Sequence, residues 1–195
     1  MTQPSIKIAT SPEETAVIDA LTLAFSTDPL ARWLWPDPHD YLTHFPYFVK
    51  AYGAPSFVHQ SAYHVDGYRG GALWLPPDVH PDESAVDQLI QNRVAADKQE
   101  DLTGLLDRVD QYIPEEPHWY LLFIGVEPLH RGQGFGSALM EHTLRRCDDD
   151  NATAFLESTN PRNRSLYQRH GFEILDTLQV GSSPPLTVMV RTTKG

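Results

Sequence analysis

Residues 126–144, VEPLHRGQGFGSALMEHTL, place glycines at every second position between an apolar run and a helix-like pattern. The glycines are Gly132, Gly134 and Gly136, and Arg131 stands directly before them. A helix start leaves free N–H donors and carries partial positive charge. Glycine lets such a backbone approach an anion closely. A strand, a glycine loop and a helix start therefore predict a site for a phosphate group.

Two common phosphate-binding patterns do not fit this loop. The P-loop pattern GxxxxGK[ST] is absent from the chain. The dinucleotide pattern GxGxxG fails because position 137 is serine and the third glycine comes one residue early. The spacing alone leaves open a glycine-rich turn without a ligand.

The composition sets bounds on the class of protein. The chain has 195 residues and a mass of 22.0 kDa, which fits one domain spanning 1–195. Its hydrophobic fraction of 41% and charged fraction of 21% are ordinary for a globular protein. The formal net charge of −11 disfavours a nucleic-acid partner, because phosphate contacts need a basic face. The same charge is compatible with a cationic substrate.

The single cysteine and the termini bear on the compartment. Cys147 allows no internal disulfide, which favours a reducing environment. It lies on a helix pattern that ends in Asp148, Asp149 and Asp150, whose carboxylates disfavour a nucleophilic thiolate. The sequence has neither an 18-residue apolar run nor a basic, apolar signal pattern in MTQPSIKIAT. We therefore predict a cytoplasmic protein with no membrane partner.

The first third of the chain predicts a strand and two helices. SIKIAT alternates apolar and polar residues as a strand does. SPEET predicts a helix start, with Ser11 as the cap, Pro12 at the first position and Glu14 completing a capping box. That helix runs to about Phe25. The proline-punctuated STDPLARWLWPDPHD predicts a loop, and residues 40–52 predict a second helix.

The rest of the chain completes an α/β pattern with a mixed sheet. SAYHVDGYRGGALWLPP predicts a hairpin with an Asp66-Gly67 turn, and residues 83–112 predict two short helices. HWYLLFIGV predicts a buried central strand, which the glycine loop and a helix to about Cys147 follow. ATAFLEST, a short helix over 163–170, GFEILDTLQV and PLTVMVR complete the order β-α-α-β-β-α-α-β-α-β-α-β-β.

The glycine loop resembles the acyl-CoA binding motif of the GNAT superfamily of N-acyltransferases. That motif is Arg or Gln, any two residues, Gly, any residue, then Gly or Ala. Here it reads Arg131-Gly132-Gln133-Gly134-Phe135-Gly136. A second stretch, NPRNRSLYQRHGFEIL, is similar to the family's later segment, in which an Asn and a Tyr precede a Gly-Phe pair. The corresponding residues here are Asn160 or Asn163, Tyr167, Gly171 and Phe172.

The likeness extends over most of the chain and is strongest over 116–175. Together with the early stretch AFSTDPLARWLWPD, it is similar to the branch that contains puromycin N-acetyltransferase. Agreement is weak between about 80 and 113, a region that often contributes to acceptor recognition in such proteins. The acceptor therefore does not follow from the resemblance.

The resemblance implies a single GNAT-like domain that uses acetyl-CoA. Its mixed, mostly antiparallel sheet is splayed between two central strands near Ile124 and Gly125, often with a bulge. The pantetheine arm pairs with the backbone of Ile124 and Val126, Asn160 or Asn163 contacts the arm, and Tyr167 lies near the thioester sulfur. The pyrophosphate is held by the amides of Arg131, Gly132, Gln133, Gly134, Phe135, Gly136 and Ser137.

The implied reaction is direct transfer of an acetyl group to an amine, which must lose a proton to attack. Tyr167 is the candidate general acid, because a phenol can donate to a leaving thiolate. Glu157 is the candidate general base, with His118 or a chain of waters as alternatives. A backbone N–H within 124–126 is the candidate donor to the oxyanion. We expect Arg131 at the pyrophosphate, and Arg162 or Arg164 at the 3′-phosphate.

The aromatic residues of the first half are candidates for an acceptor pocket. Aromatic walls with a carboxylate suit an amine on an apolar body, although the same residues are equally candidates for the core. The candidates are Asp28, Trp33, Trp35, Tyr41 and Trp74.

Three functions fit these residues. They are acetylation of a small-molecule amine, acetylation of a protein or peptide amine, and acyl-CoA sensing without catalysis. The nine His residues show no HExxH spacing, so we expect no metal. Dimers are common among similar proteins, and a homodimer is the corresponding prediction.

Overall fold

The computed structural model describes residues 4–192, which form a seven-stranded sheet in the order β1-β2-β3-β4-β5-β7-β6. Neighbouring strands are antiparallel except for β4 and β5, which are parallel. The strands are β1 (Ile6–Ile8), β2 (Ala62–Val65), β3 (Gly70–Leu75), β4 (His118–Val126), β5 (Thr153–Ser158), β6 (Glu173–Leu178) and β7 (Leu186–Arg191). The predicted mixed, mostly antiparallel α/β sheet is confirmed.

The described residues form seven α-helices, of which α1 and α3 pack on one face of this sheet and α6 packs on the other. None of the helices within residues 4–192 combines the length and the apolar character needed to cross a membrane. The helices are α1 (Glu14–Ala24), α2 (Pro29–Leu34), α3 (Pro38–Val58), α4 (Glu83–Arg93), α5 (Ala96–Asp110), α6 (Phe135–Asp149) and α7 (Arg164–Arg169).

The entry into α1 differs from the predicted capping box by one residue. The Glu13 carboxylate accepts from the Thr10 amide at 3.0 Å and from its hydroxyl at 2.7 Å. Ser11 already belongs to a 3-10 turn, Ser11–Glu13, that precedes α1. The prediction of Ser11 and Glu14 was therefore wrong. Thr10 is the last extended residue before the turn and so takes the cap position.

The predicted loop STDPLARWLWPDPHD contains the helix α2, and the next helix is longer than predicted. Asp28 accepts from the amides of Leu30 and Ala31 at 3.0 and 3.1 Å, and Pro29 takes the first helical position. Asp37 begins α3 in the same manner. Proline has no N–H to lose at the first position of a helix, so Asp-Pro begins a helix as readily as it punctuates a loop.

The central strands separate partway along their length. β4 and β5 pair only from His118↔Thr153 to Leu121↔Leu156. Against β3, Leu73 pairs with Phe123 and Trp74 with Leu121, so Leu122 is an extra residue in β4. Such a bulge bends a strand and interrupts its pairing. The splay that the resemblance implies is therefore present, and it begins just after Leu121.

Candidate functional site

The glycine loop forms a set of free backbone donors at the start of α6. Gly132 and Gly134 have φ angles of +76° and +83°, which are strained for residues with a side chain. Across residues 4–192, no carbonyl or side chain accepts a hydrogen bond from the amides of 132–137. Unpaired amides at a helix start suit a pyrophosphate.

Arg131 fixes this loop to the neighbouring helix. Its guanidinium donates to the Ala24 carbonyl at 2.8 Å and, more weakly, to the Val126 carbonyl at 3.4 Å. Ala24 is the last residue of α1, where exposed carbonyls carry partial negative charge. The side-chain charge that we expected at the pyrophosphate is therefore already engaged by backbone carbonyls.

A cleft of about 560 Å³ runs from the glycine loop to the splayed end of β4. Gln133, predicted to bind the pyrophosphate, is exposed and lies outside this lining. Of the two arginines considered for the 3′-phosphate, Arg162 lines the cleft and Arg164 does not. The predicted residues in the lining are Ile124, Gly125, Val126, Arg131, Gly132, Gly134, Phe135, Gly136, Ser137, Asn160, Asn163 and Tyr167.

The splayed part of β4 offers this cleft an open strand edge. Beyond Leu121, β4 keeps its pairs with β3 but has none with β5. The close approach of α1 requires glycine at 125, because a Cβ there would lie 2.5 Å from the Cβ of Ala24. The N–H and C=O groups of this edge suit an extended ligand that carries amides.

A second cavity, of about 100 Å³, adjoins the cleft. Tyr167 stands at the junction and is buried, with 4% of its surface exposed. Burial raises the pKa of Tyr167 above its ordinary value, so its hydroxyl stays protonated and remains a donor. The residues common to both linings are Phe25, Asp28, Ile124, Asn163 and Tyr167.

Glu157 lines the second cavity just past the last pair between β4 and β5. The Tyr120 hydroxyl donates to its Oε1, and Tyr52 lines the same cavity. Burial raises the pKa of Glu157 to about 7, although the hydrogen bond from Tyr120 acts in the opposite direction. A carboxylate with such a pKa can accept a proton near neutral pH.

Asp28 connects α2 with the end of β5. Besides capping α2, its carboxylate accepts from the Thr159 hydroxyl at 2.6 Å. Burial raises the pKa of Asp28, and the hydrogen bonds from Thr159 and the α2 amides oppose that shift. Asp28, which the sequence predicts at an acceptor pocket, lines the second cavity. Three polar residues of this lining, Tyr52, Tyr120 and Thr159, were not among the candidates predicted from the sequence.

The tryptophans predicted to line the acceptor pocket lie elsewhere. Trp74 is completely buried in the core beneath α6, so the prediction that it contacts substrate was wrong. Trp33 is outside both linings and donates from Nε1 to the Ser182 hydroxyl at 3.3 Å. Trp35 and Tyr41 are core residues whose polar atoms bond to the carbonyls of Arg93 and Thr22.

His118 is at the wrong end of β4 to act as the base. It precedes Ile124 by six residues, which is roughly 20 Å along a strand. Its neighbours there are the Glu116 carbonyl, at 2.9 Å from Nδ1, and the strand partner Thr153. The His118 ring packs near the rings of Tyr120 and Phe155 and lies outside the linings of both cavities.

The remaining reactive groups lie away from the cavities. Burial raises the pKa of Cys147 to about 12, and this effect exceeds that of the neighbouring carboxylates. The thiol therefore stays protonated at neutral pH.

Within residues 4–192, no group of three or more His, Cys, Asp or Glu side chains is placed to hold a metal ion.

The model of the acetyltransferase (GNAT) family matches residues 27–172. This range covers most of the chain and includes the glycine loop, Glu157 and Tyr167. The chain therefore belongs to the acetyltransferase (GNAT) family. The family uses acetyl-CoA as its co-substrate.

A curated relative matches part of the chain. An uncharacterised N-acetyltransferase of Schizosaccharomyces pombe is 29% identical over 80 residues, which are 40% of this chain and 32% of that protein. The present chain therefore matches about a third of the length of that relative.

Two solved structures share the fold over nearly their whole length. The first is described as histone acetyltransferase HPA2 and related acetyltransferase, from Corynebacterium glutamicum. It has a TM-score of 0.69 and 24% identity, and the match covers 100% of this chain and 98% of that one. The second, arylalkylamine N-acetyltransferase 2 from Aedes aegypti, has a TM-score of 0.68 and 12% identity, with coverage of 99% and 100%.

Proposed function

We propose that this chain transfers an acetyl group from acetyl-CoA directly to the primary amine of a small molecule. The observation that carries the proposal is the junction of two cavities at Tyr167. One cavity has free amides suited to a pyrophosphate, and the other holds Glu157, a carboxylate with a pKa of about 7. The cleft proposed for acetyl-CoA, the cavity proposed for the amine and the two acid–base side chains thus adjoin one another.

The cleft residues fit the co-substrate by their chemistry. We assign the amides of 132–137 to the pyrophosphate and the open backbone at Ile124 and Val126 to the pantetheine arm. Asn160 and Asn163 line the cleft beside that arm, and we assign Arg162, one of the arginines in the lining, to the 3′-phosphate. When bound, acetyl-CoA supplies the activated acetyl group.

Glu157 in the second cavity and Tyr167 at the junction would then move the protons. Glu157 accepts the proton that the amine must lose, because its raised pKa makes it a stronger base than an exposed carboxylate. Tyr167 donates its phenolic proton to the departing sulfur, since burial keeps that hydroxyl protonated. A backbone N–H within 124–126 stabilises negative charge that develops on the acetyl oxygen. Positioning by the two cavities supplies much of the remaining rate enhancement.

Two measurements test this function together. A ligand that binds only the folded state raises its stability by RT ln(1 + [L]/Kd), so acetyl-CoA should raise the Tm. A dephosphorylated analogue should raise it less, because Arg162 loses its partner. Thiol release with a panel of amines should then show turnover. A Tm rise without release of thiol would favour the acyl-CoA sensor, and no rise at millimolar acetyl-CoA would contradict the loop assignment.

The small volume of the second cavity, about 100 Å³, favours a small amine over a protein or peptide, which would need a larger groove. We retain membership of the branch that contains puromycin N-acetyltransferase, a cytoplasmic location, a homodimer and a single domain over 1–195 as predictions. No metal enters the proposed chemistry.

We expect Gly134→Val to weaken acetyl-CoA binding by at least about 100-fold. Valine is strained at a φ of +83°, so the loop must rearrange and its amides no longer converge. Gly67→Val is the matched control, because Gly67 has a φ of +76° in the hairpin turn, away from the cleft. Calorimetric titration should show lost affinity only at 134. If both variants bound acetyl-CoA with equal affinity, the assignment of the loop amides to the pyrophosphate would be contradicted.

We expect Tyr120→Phe to shift the acidic limb of the pH profile to higher pH by about 1–2 units. The Tyr120 hydrogen bond lowers the pKa of Glu157, so its removal leaves the buried carboxylate harder to ionise. Tyr52→Phe is the control, because no hydrogen bond joins Tyr52 to Glu157 within the described residues. The measurement is kcat/KM against pH. A profile that does not move would separate Glu157 from the base role.

A further inference from the structure

We infer that the acceptor is an apolar monoamine, an alkylamine or arylalkylamine with one charged group and an uncharged body. This inference rests on the proposed function and names its substrate class. It follows from the distribution of charge around the second cavity, where polar groups and apolar groups occupy different walls.

The polar groups lie around the end of β5, which has separated from β4 there but is still paired with β7. Within the described residues, Asp28 and Glu157 are the only charged members of the lining. They are joined there by Thr159 through its bond to Asp28, and by Tyr120 through its bond to Glu157. Tyr167 is at the junction with the cleft. The amine nitrogen therefore belongs at this end.

The wall supplied by α3 and α5 has a different character. Its side chains are aliphatic or phenyl groups, with the exception of Tyr52. Burial and the Glu157 charge raise the pKa of Tyr52. The aliphatic and phenyl groups offer no hydrogen bond and no counter-ion to the body of an acceptor. The apolar members are Phe45, Phe48, Leu102, Leu105, Leu106 and Val109.

This wall discriminates against a second charge. Burying an unpaired ammonium among apolar side chains is strongly unfavourable. Binding of an acceptor that carries a carboxylate is also unfavourable, since the carboxylates in the lining repel it and no cation in the lining pairs with it. Asp107 and Asp110 of α5 are exposed and lie outside the lining. Besides burial, the Asp110 charge raises the pKa of Glu157, but neither aspartate belongs to the lining, so neither contacts a charge on the body of an acceptor in the cavity.

Matched amines test the inference on the wild-type protein. We expect kcat/KM for butylamine to exceed that for diaminobutane by at least about 100-fold, and phenethylamine to exceed phenylalanine similarly. Diaminobutane is short, so its second ammonium stays inside the cavity. Equal or better use of diaminobutane or phenylalanine would overturn the inference while leaving the proposed function intact. If acetyl-CoA raises the Tm but no amine releases thiol, the proposed function fails and the inference fails with it.

A variant pair tests whether the α5 wall is the cause. Leu106 is half-buried in that wall, so a polar residue is better tolerated there than at the fully buried Leu105. Leu106→Asp should raise the preference for diaminobutane over butylamine at least about tenfold by providing a counter-ion. Leu106→Asn, which has similar shape and no charge, should not. Folding of both variants is checked by the Tm with acetyl-CoA. Equal preference in the two variants would contradict the role of the wall.

Discussion

Replacing Tyr167 with phenylalanine is expected to lower kcat by about 10²–10³-fold, with the Kd for acetyl-CoA changed by less than about twofold. The ring fills the same space in both, so the packing of α7 against Phe172 is kept. What is lost is the proton at the junction of the cavities, where burial keeps the hydroxyl protonated. Single-turnover thiol release and calorimetry measure the two quantities separately.

A second buried tyrosine provides the control for Tyr167→Phe. Tyr41 is also buried, and its hydroxyl donates to the Thr22 carbonyl outside both cavities. Tyr41→Phe should lower the free energy of unfolding, by about 1 kcal/mol for a lost hydrogen bond, and leave kcat unchanged. If Tyr167→Phe retained full turnover, Tyr167 would be a packing residue and the thiolate would take its proton elsewhere. If both variants lost turnover equally, stability would explain the loss.

The site was predictable where its chemistry depends on residues that are contiguous in the chain. The glycine loop is one such segment, because a strand end, glycines and a helix start determine its backbone locally. The central strand and the hairpin were predictable for the same reason, since periodicity and turn residues are local. The helix α2 was missed although its signal, Asp28-Pro29, is also local. Asp-Pro is common both in loops and at capped helix starts, and here Asp28 caps α2.

The acceptor pocket was not predictable from local patterns. Every residue of β3 is buried, because helices cover both faces of the central sheet. Alternation along such a strand cannot show which face a side chain occupies, and Trp74 was placed in a pocket when it belongs to the core beneath α6. Tyr120 and Glu157 are 37 positions apart in the chain. They meet only because β4 and β5 are parallel neighbours in the sheet. No spacing in the sequence signals that contact.

Glu157→Gln is the prediction with the largest expected effect on catalysis. Loss of the base should lower kcat/KM by about 10²–10⁴-fold. In the wild type, Glu157 must be ionised to accept a proton, so kcat/KM should fall about tenfold per unit as the pH drops below about 7. The variant should lack this acidic limb. A variant that retains the limb would show that another group titrates.

The same substitution should make the protein more stable, which separates its catalytic effect from misfolding. Burial raises the folded-state pKa of Glu157 to about 7, above the usual value near 4.3 of an unfolded chain. The native state therefore binds this proton more tightly, and the stabilisation that results is complete below about pH 4 and is lost as the pH rises through 7. Glutamine has no charge to bury. At pH 8 the variant should thus exceed the wild type in free energy of unfolding by about 1–3 kcal/mol, and the difference should vanish near pH 4. Urea titrations at the two pH values measure this difference. A variant that is inactive and also less stable at pH 8 would contradict the buried-base assignment, because activity and stability must change in opposite directions if Glu157 is an ionisable base held in an apolar cavity.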